Sequence, residues 1–207
     1  MPGTGIDDYY YHIYSDVPPK CRTGVVGFVG SLTNPKIKIR IEIDTEWMID
    51  NNHASIVFNA DPDNYFESTI VMTAQYFDVF RKTPYLLFDL WHEVGHYHLG
   101  HYFDTHFDEN GSAYQSRREY LERGEVMPEE KAADTFGLYY TSKDEAIQAL
   151  SESIRRRRSF TWEPPETQSR AIEEFRIRKR LLRDLDTDEK ARAVLCELCG
   201  KSNYLDI

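Results

Sequence analysis

The sequence predicts an α+β protein in which a small twisted β-sheet packs on one histidine-bearing helix and a helical C-terminal extension follows. Three observations lead to that expectation. From Lys36 to Ile43, Ile37, Ile39, Ile41 and Ile43 alternate with Lys36, Lys38, Arg40 and Glu42, a period of two that suits a strand with one buried face. Tyr85 to His101 carries its apolar residues at helical spacing, with Pro84 suited to a helix start and Gly100 to a stop. From Pro128 onward the patterning is largely helical.

Taken in order, residues 1–24 are tyrosine-rich and interrupted by Pro18 and Pro19, and read as an irregular arm or a short helix followed by a loop. Val25 to Val29 reads as a short strand, followed by the alternating strand at 36–43. Ser55 to Phe58 is a further strand, ended by the turn-forming residues Asn59 to Asn64, and Ser68 to Ala74 is another. After the histidine helix, Asp104 to Arg118 is polar with a turn signal at Asn110-Gly111, and Tyr114 to Glu122 suits a short helix. Pro128 opens a strong helix over Glu129 to Tyr140, with acidic residues in its first turn as the helix dipole favours. Further helices are expected from Lys143 to about Arg156, from about Thr167 to Leu185 and from Thr187 to Leu198, with a break at Trp162 to Pro165. The expected organisation is an N-terminal arm (1–24), one domain (25–150) and a helical extension (151–207).

At 207 residues the chain is long enough to bury a core. Its net charge is −10, unevenly spread: residues 1–150 hold 12 basic and 24 acidic groups, and residues 151–207 hold 13 basic and 11 acidic. So acidic a first part argues against nucleic acid as its substrate. No apolar run approaches the ~20 residues that span a bilayer, and a secretory signal pattern is missing. Three cysteines, Cys21, Cys196 and Cys199, make no disulfide framework. The expected compartment is the cytoplasm, with no membrane partner.

The chemistry concentrates in His92-Glu93-Val94-Gly95-His96. Residues four apart on a helix return to within about 40° of each other, so His92 and His96 stack one turn apart and can offer two imidazole nitrogens to one metal ion. Glu93 lies about 100° around from His92, flanking that position. Two histidines and a nearby carboxylate suit a zinc ion that keeps an open position, with Glu93 as general base.

A catalytic zinc needs a third protein ligand. His101 would lie about 180° from His92 on a continuing helix and comes back only if the helix breaks at Gly100. His98 falls on the apolar face and reads as a packed core residue. Asp104, His106 and Asp108 lie in the following loop. Glu130 is the better candidate, with Glu129 as the alternative: it opens the second helix, and small Ala133 and Gly137 would let that helix approach the first. Asp134, one turn on, could accept a hydrogen bond from the far nitrogen of a ligating histidine and fix its tautomer.

Leu90 to His101, followed by Glu130-Lys131-Ala132-Ala133-Asp134-Thr135-Phe136-Gly137, resembles the ImmA/IrrE-like family of gluzincin metallopeptidases. The family shows a HExxH helix, often continued by leucine-glycine-histidine, and then an ExxAD or ExxAN segment on a second helix. The resemblance covers roughly residues 36–140. Gly137 stands where the family usually has alanine, and Leu138-Tyr139-Tyr140-Thr141 replaces a common leucine-methionine-proline stretch. The metzincin pattern is not met, since Leu99 occupies its glycine position.

The resemblance implies a minimal thermolysin-like zincin core and a zinc-dependent endopeptidase with a protein substrate, such as a transcriptional repressor or another regulatory protein. Carried over, His92, His96 and Glu130 would hold one Zn2+, Glu93 would be the general base, and Asp134 would support a ligating histidine. The zinc would lower the pKa of its water towards ~7 and polarise the scissile carbonyl. Oxyanion stabilisation would fall to Tyr97, Tyr139, Tyr140 or a loop histidine. Two alternatives share the fold: a non-proteolytic regulatory or binding module, against which the retained Glu93 argues, and a phage-type effector with the same chemistry and another target.

Two signals lie outside that motif. Arg155 to Arg158, with Arg170, Arg176, Arg178, Lys179, Arg180 and Arg183, reads as a solvated helical face balanced by interspersed acids, in preference to a surface for an acidic partner or nucleic acid. Cys196-Glu197-Leu198-Cys199 is a lone CxxC, read as ordinary cysteines at a helix end.

Overall fold

The computed structural model describes residues 8–14, 23–44, 56–59, 68–101, 112–159 and 164–185. The chain divides into two compact units, 1–84 and 85–207. Together they make a mixed α+β protein.

The first unit is a five-stranded sheet among the described residues: β1 (Tyr9–Ile13), β2 (Thr23–Ser31), β3 (Lys38–Asp44), β4 (Ile56–Asn59) and β5 (Thr69–Met72), in the order β1-β2-β3-β5-β4. All neighbours pair antiparallel except β3 and β5, which run parallel. The alternation read at 36–43 is realised in β3. Ile37, Ile39, Ile41 and Ile43 are buried, while Lys38 and Arg40 are exposed. Every residue of β5 is buried, as expected of a strand lying between two others.

Two features of this unit depart from the sequence reading. Residues 9–13 are neither irregular nor helical but an edge strand, in register with Gly27 to Ser31 of β2. On its outward side Tyr10, His12 and Tyr14 pack around Phe28, with centroids 5.8, 5.5 and 6.4 Å from that ring. Cross-strand aromatic contacts of this kind favour strand over helix. The strand read at 68–74 stops at Met72, because Thr73 caps a helix, its Oγ1 accepting from Tyr76 N at 3.2 Å. That helix, α1 (Ala74–Phe80), buries Tyr76, Phe77 and Phe80.

The second unit is helical: α2 (Leu87–His98), α3 (Ser112–Glu122), α4 (Pro128–Tyr140), α5 (Lys143–Arg158) and α6 (Pro165–Asp184). A 3-10 turn at Pro84–Leu86 leads into α2. Gly100, at φ 68°, takes the left-handed backbone that ends α2. α4 opens with Pro128 at its first turn, followed by Glu129 and Glu130. Ser142 and Glu145 form a reciprocal cap on α5, whose last turn holds Arg155 to Arg158, both arrangements that suit the helix dipole. Main packing contacts run between α2 and α4 and between α5 and α6, and α6 also touches α4 and α3. Among the described residues no helix is long and apolar enough to cross a membrane. The expected helix at 187–198, the CxxC pair and Cys21 lie outside the described residues.

Candidate metal centre

α2 and α4 meet through small residues. A Cβ added at Gly95 would stand 2.9 Å from Phe136 Cβ and 3.2 Å from Ala133 Cα. One added at Gly137 would stand 3.0 Å from the Phe88 ring and 3.3 Å from His92 N. A glycine on each helix therefore allows the close approach expected from Ala133 and Gly137. Trp91 stacks on Tyr140 at 4.4 Å and His98 lies 5.1 Å from Phe136, which gives His98 the packing role read from its apolar position.

That approach puts Glu130, in the first turn of α4, beside the two histidines of α2. His92 Nε2 and His96 Nε2 are 3.1 Å apart. Glu130 Oε2 lies 3.4 Å from His92 Nε2, and Oε1 lies 3.9 Å from His96 Nε2. One donor atom from each of these three residues falls within 4.8 Å of the others. Zinc bonds of about 2.0–2.2 Å at tetrahedral angles separate donor atoms by roughly 3.3–3.6 Å, so the spacings suit a single ion. Two imidazoles and one carboxylate are a donor set that a divalent metal ion such as zinc accepts.

Both histidines are held from behind. His92 Nδ1 donates to Asp134 Oδ1 across 2.9 Å. His96 Nδ1 lies 2.8 Å from His101 Nδ1. The break at Gly100 returns His101 to the site, but on the far side of His96 and outside the three-donor group. Such partners fix ring orientation and tautomer. Glu93, midway along α2, is half-buried where its neighbours are buried.

Sequence reasoning missed one member of the site. Arg178 of α6 lies not on a solvated face but 6 % exposed beside the histidines. Its Nε and Nη2 donate to Asp134 Oδ2 and Oδ1 at 2.8 and 2.5 Å, and its Nη1 stands 3.4 Å from Glu130 Oε2. One turn earlier Glu174, 3 % exposed, accepts from Arg117 Nε and Nη2 at 2.7 and 2.6 Å. The spacing of Glu174, Arg178 and buried Leu182 held the signal: one helical stripe, two of whose members are charged. The rest of the basic set fits the surface reading better. Arg155 pairs with Glu152 and Arg176 with Glu173 in exposed contacts, although Arg156 is largely covered and 3.5 Å from Asp89.

These contacts fix the charges. Burial and Arg178 act to lower the pKa of His92. The hydrogen bonds to Asp134 and Glu130, with the charge of Asp134, outweigh them and push it up to about 10. His96 falls well below the ordinary range through burial and the charge of His92. Burial acts to raise both carboxyls, but His92 and Arg178 hold Glu130 well down, and Arg178 and His92 lower Asp134. In the metal-free site His92 therefore carries both ring protons. Its Nε2 stands within reach of two acceptors, Glu130 Oε2 at 3.4 Å and His96 Nε2 at 3.1 Å.

Comparison with known proteins adds no identity: no family model, no curated protein and no solved structure matches the chain. Of the other candidates, Asp104, His106 and Asp108 lie outside the described residues. Tyr97 is fully buried, and Tyr140 is engaged in stacking with Trp91.

Proposed function

We propose that the chain is a zinc-dependent metallopeptidase of the ImmA/IrrE-like kind, hydrolysing a peptide bond in a protein target such as a transcriptional repressor or another regulatory protein. The observation that carries this reading is the convergence of His92, His96 and Glu130, from two helices, on a space the size of one metal ion. The α+β composition is compatible with a minimal zincin core. Glu93 adds a reason to prefer catalysis over binding alone, since a site that only held a metal would not need it.

In this reading His92, His96 and Glu130 hold the ion, whose contribution when bound is Lewis acidity towards water and carbonyl oxygen. Glu93 takes a proton from the attacking water and delivers it to the leaving amine. Asp134 holds a proton of His92 on Nδ1, which would leave Nε2 to serve as the metal-binding nitrogen. His101 does the same service for His96.

The test is metal content and proteolysis on purified wild type, Glu130→Gln and Glu93→Gln. One zinc per chain is expected in wild type and Glu93→Gln, with loss or weakening in Glu130→Gln. Cleavage of an unfolded protein substrate should appear in wild type and vanish in Glu93→Gln. A folded wild-type chain that takes up no metal would sink the proposal.

A further inference from the structure

Arg178 brings a permanent positive charge to a site read as a cation site, and that conjunction needs a physical account. Its guanidinium makes a two-pronged contact with Asp134 and reaches Glu130 Oε2 at 3.4 Å with its third nitrogen. Glu130 Oε2 is the oxygen that also lies 3.4 Å from His92 Nε2. One carboxylate oxygen is thus shared between the guanidinium and the space between the histidines. Both oxygens of Glu174 accept from Arg117 of α3, so Glu174 acts on Arg178 through its charge. The chain of contacts runs from α3 through α6 to α4 and on to His92 of α2.

We infer that Arg178 is an internal competitor for the metal, a positioning residue that satisfies Glu130 and Asp134 in the metal-free protein and limits how tightly the ion binds. The inference rests on the reading of His92, His96 and Glu130 as metal ligands. Two buried carboxylates facing a single imidazolium, His92, are under-compensated, so a site lacking both arginine and metal would be less stable. With Arg178 present the metal-free protein keeps its site assembled. When an ion arrives, it meets a like charge and an oxygen already engaged. The two cations oppose each other through Glu130, and by linkage the coupling is reciprocal. The C-terminal helix α6 thereby becomes part of the metal centre, and the affinity of the site depends on how that helix is docked.

The experiment uses the full chain as wild type, Arg178→Met, Arg178→Lys and the surface control Arg176→Met. Each is stripped of metal and titrated with chelator-buffered zinc, following both zinc affinity and melting temperature. Expected for Arg178→Met is a lower melting temperature without metal, zinc binding tighter than wild type by on the order of tenfold, and a stability deficit that shrinks when zinc is added. Arg178→Lys keeps the charge and should hold zinc affinity near wild type, and Arg176→Met should behave as wild type throughout. If Arg178→Met is unfolded without metal, recovery of the fold on adding zinc is the same result in its extreme form. Zinc binding equal to or weaker than wild type in Arg178→Met, or failure to fold even with zinc, overturns the inference while leaving the metal site standing. Wild type that binds no zinc overturns both.

Discussion

Asp134 Oδ1 lies 2.9 Å from His92 Nδ1 and 2.5 Å from Arg178 Nη2, so one carboxylate oxygen accepts from an imidazole and a guanidinium together. Arg178 Nη2 also lies 3.1 Å from His92 Nδ1. Two donors cannot bond each other, and the oxygen between them makes the short separation tolerable. Asp134 thus connects α2, α4 and α6 at one oxygen.

Replacing Asp134 with Asn should therefore act in two ways. The amide oxygen can still face His92, but the amide N–H₂ then points at a guanidinium that only donates. Metal affinity is expected to fall by about 10- to 100-fold, the usual effect of losing such a partner. Stability should fall by about 3 kcal/mol, because a buried arginine loses its two-pronged counter-charge and keeps only the longer contact with Glu130. Chelator competition and urea unfolding of the metal-free protein read the two effects. A variant with wild-type zinc affinity would remove Asp134 from the metal's support.

His101→Ala separates a supporting histidine from a ligand. His101 meets the far nitrogen of His96 and stands outside the three-donor group. Zinc should still bind at one per chain, weakened by about tenfold. Complete loss of zinc with the fold intact would instead make His101 a ligand.

How much of this was legible in the sequence follows from the range of each interaction. His92 with His96, and Glu130 with Asp134, are pairs four apart on single helices, so geometry within one helix announces them. The alternation over 37–43 is equally local. β1 escaped because tyrosine is apolar and polar at once, so Tyr9-Tyr10-Tyr11 shows no alternation until Phe28 supplies a cross-strand partner. α1 escaped because seven residues rich in aromatics carry a weak helical pattern. Arg178 pairs with a residue 44 positions away, and only its place on the stripe of Glu174 and Leu182 separates it locally from Arg176 or Arg180. His101 needed the backbone: only a left-handed Gly100 turns it back.

Gly95→Ala should disrupt the centre without touching a donor. The new methyl would meet Phe136 Cβ at 2.9 Å and the Ala133 backbone at 3.2 Å, atoms near or in the main chain of α4 that cannot swing away. Overpacking of this kind costs about 1–3 kcal/mol. Pushing α4 outward also carries Glu130 away from the histidines, so zinc affinity should fall together with the melting temperature. An alanine variant with unchanged zinc affinity would show that the helix separation has slack at Glu130.

The charge on His92 gives the site a defined pH dependence. Its pKa is raised in the metal-free fold from 6.5 to about 10. The protonated form is therefore favoured by folding. The stabilisation it brings is fully present below about pH 6.5 and is lost as pH rises through about 10. Metal-free protein should accordingly lose stability across that window, as Asp134 and Glu130 lose the imidazolium between them. Metal binding requires the Nε2 lone pair, so the same proton must leave when the ion enters. With His96 already neutral at pH 7, zinc uptake should release about one proton from His92, and affinity should rise about tenfold per pH unit between pH 7 and 9. Calorimetry in buffers of different ionisation enthalpy counts that proton. A count of zero, with affinity flat over pH 7 to 9, would mean that His92 is already neutral and that Asp134 and Glu130 do not hold its charge.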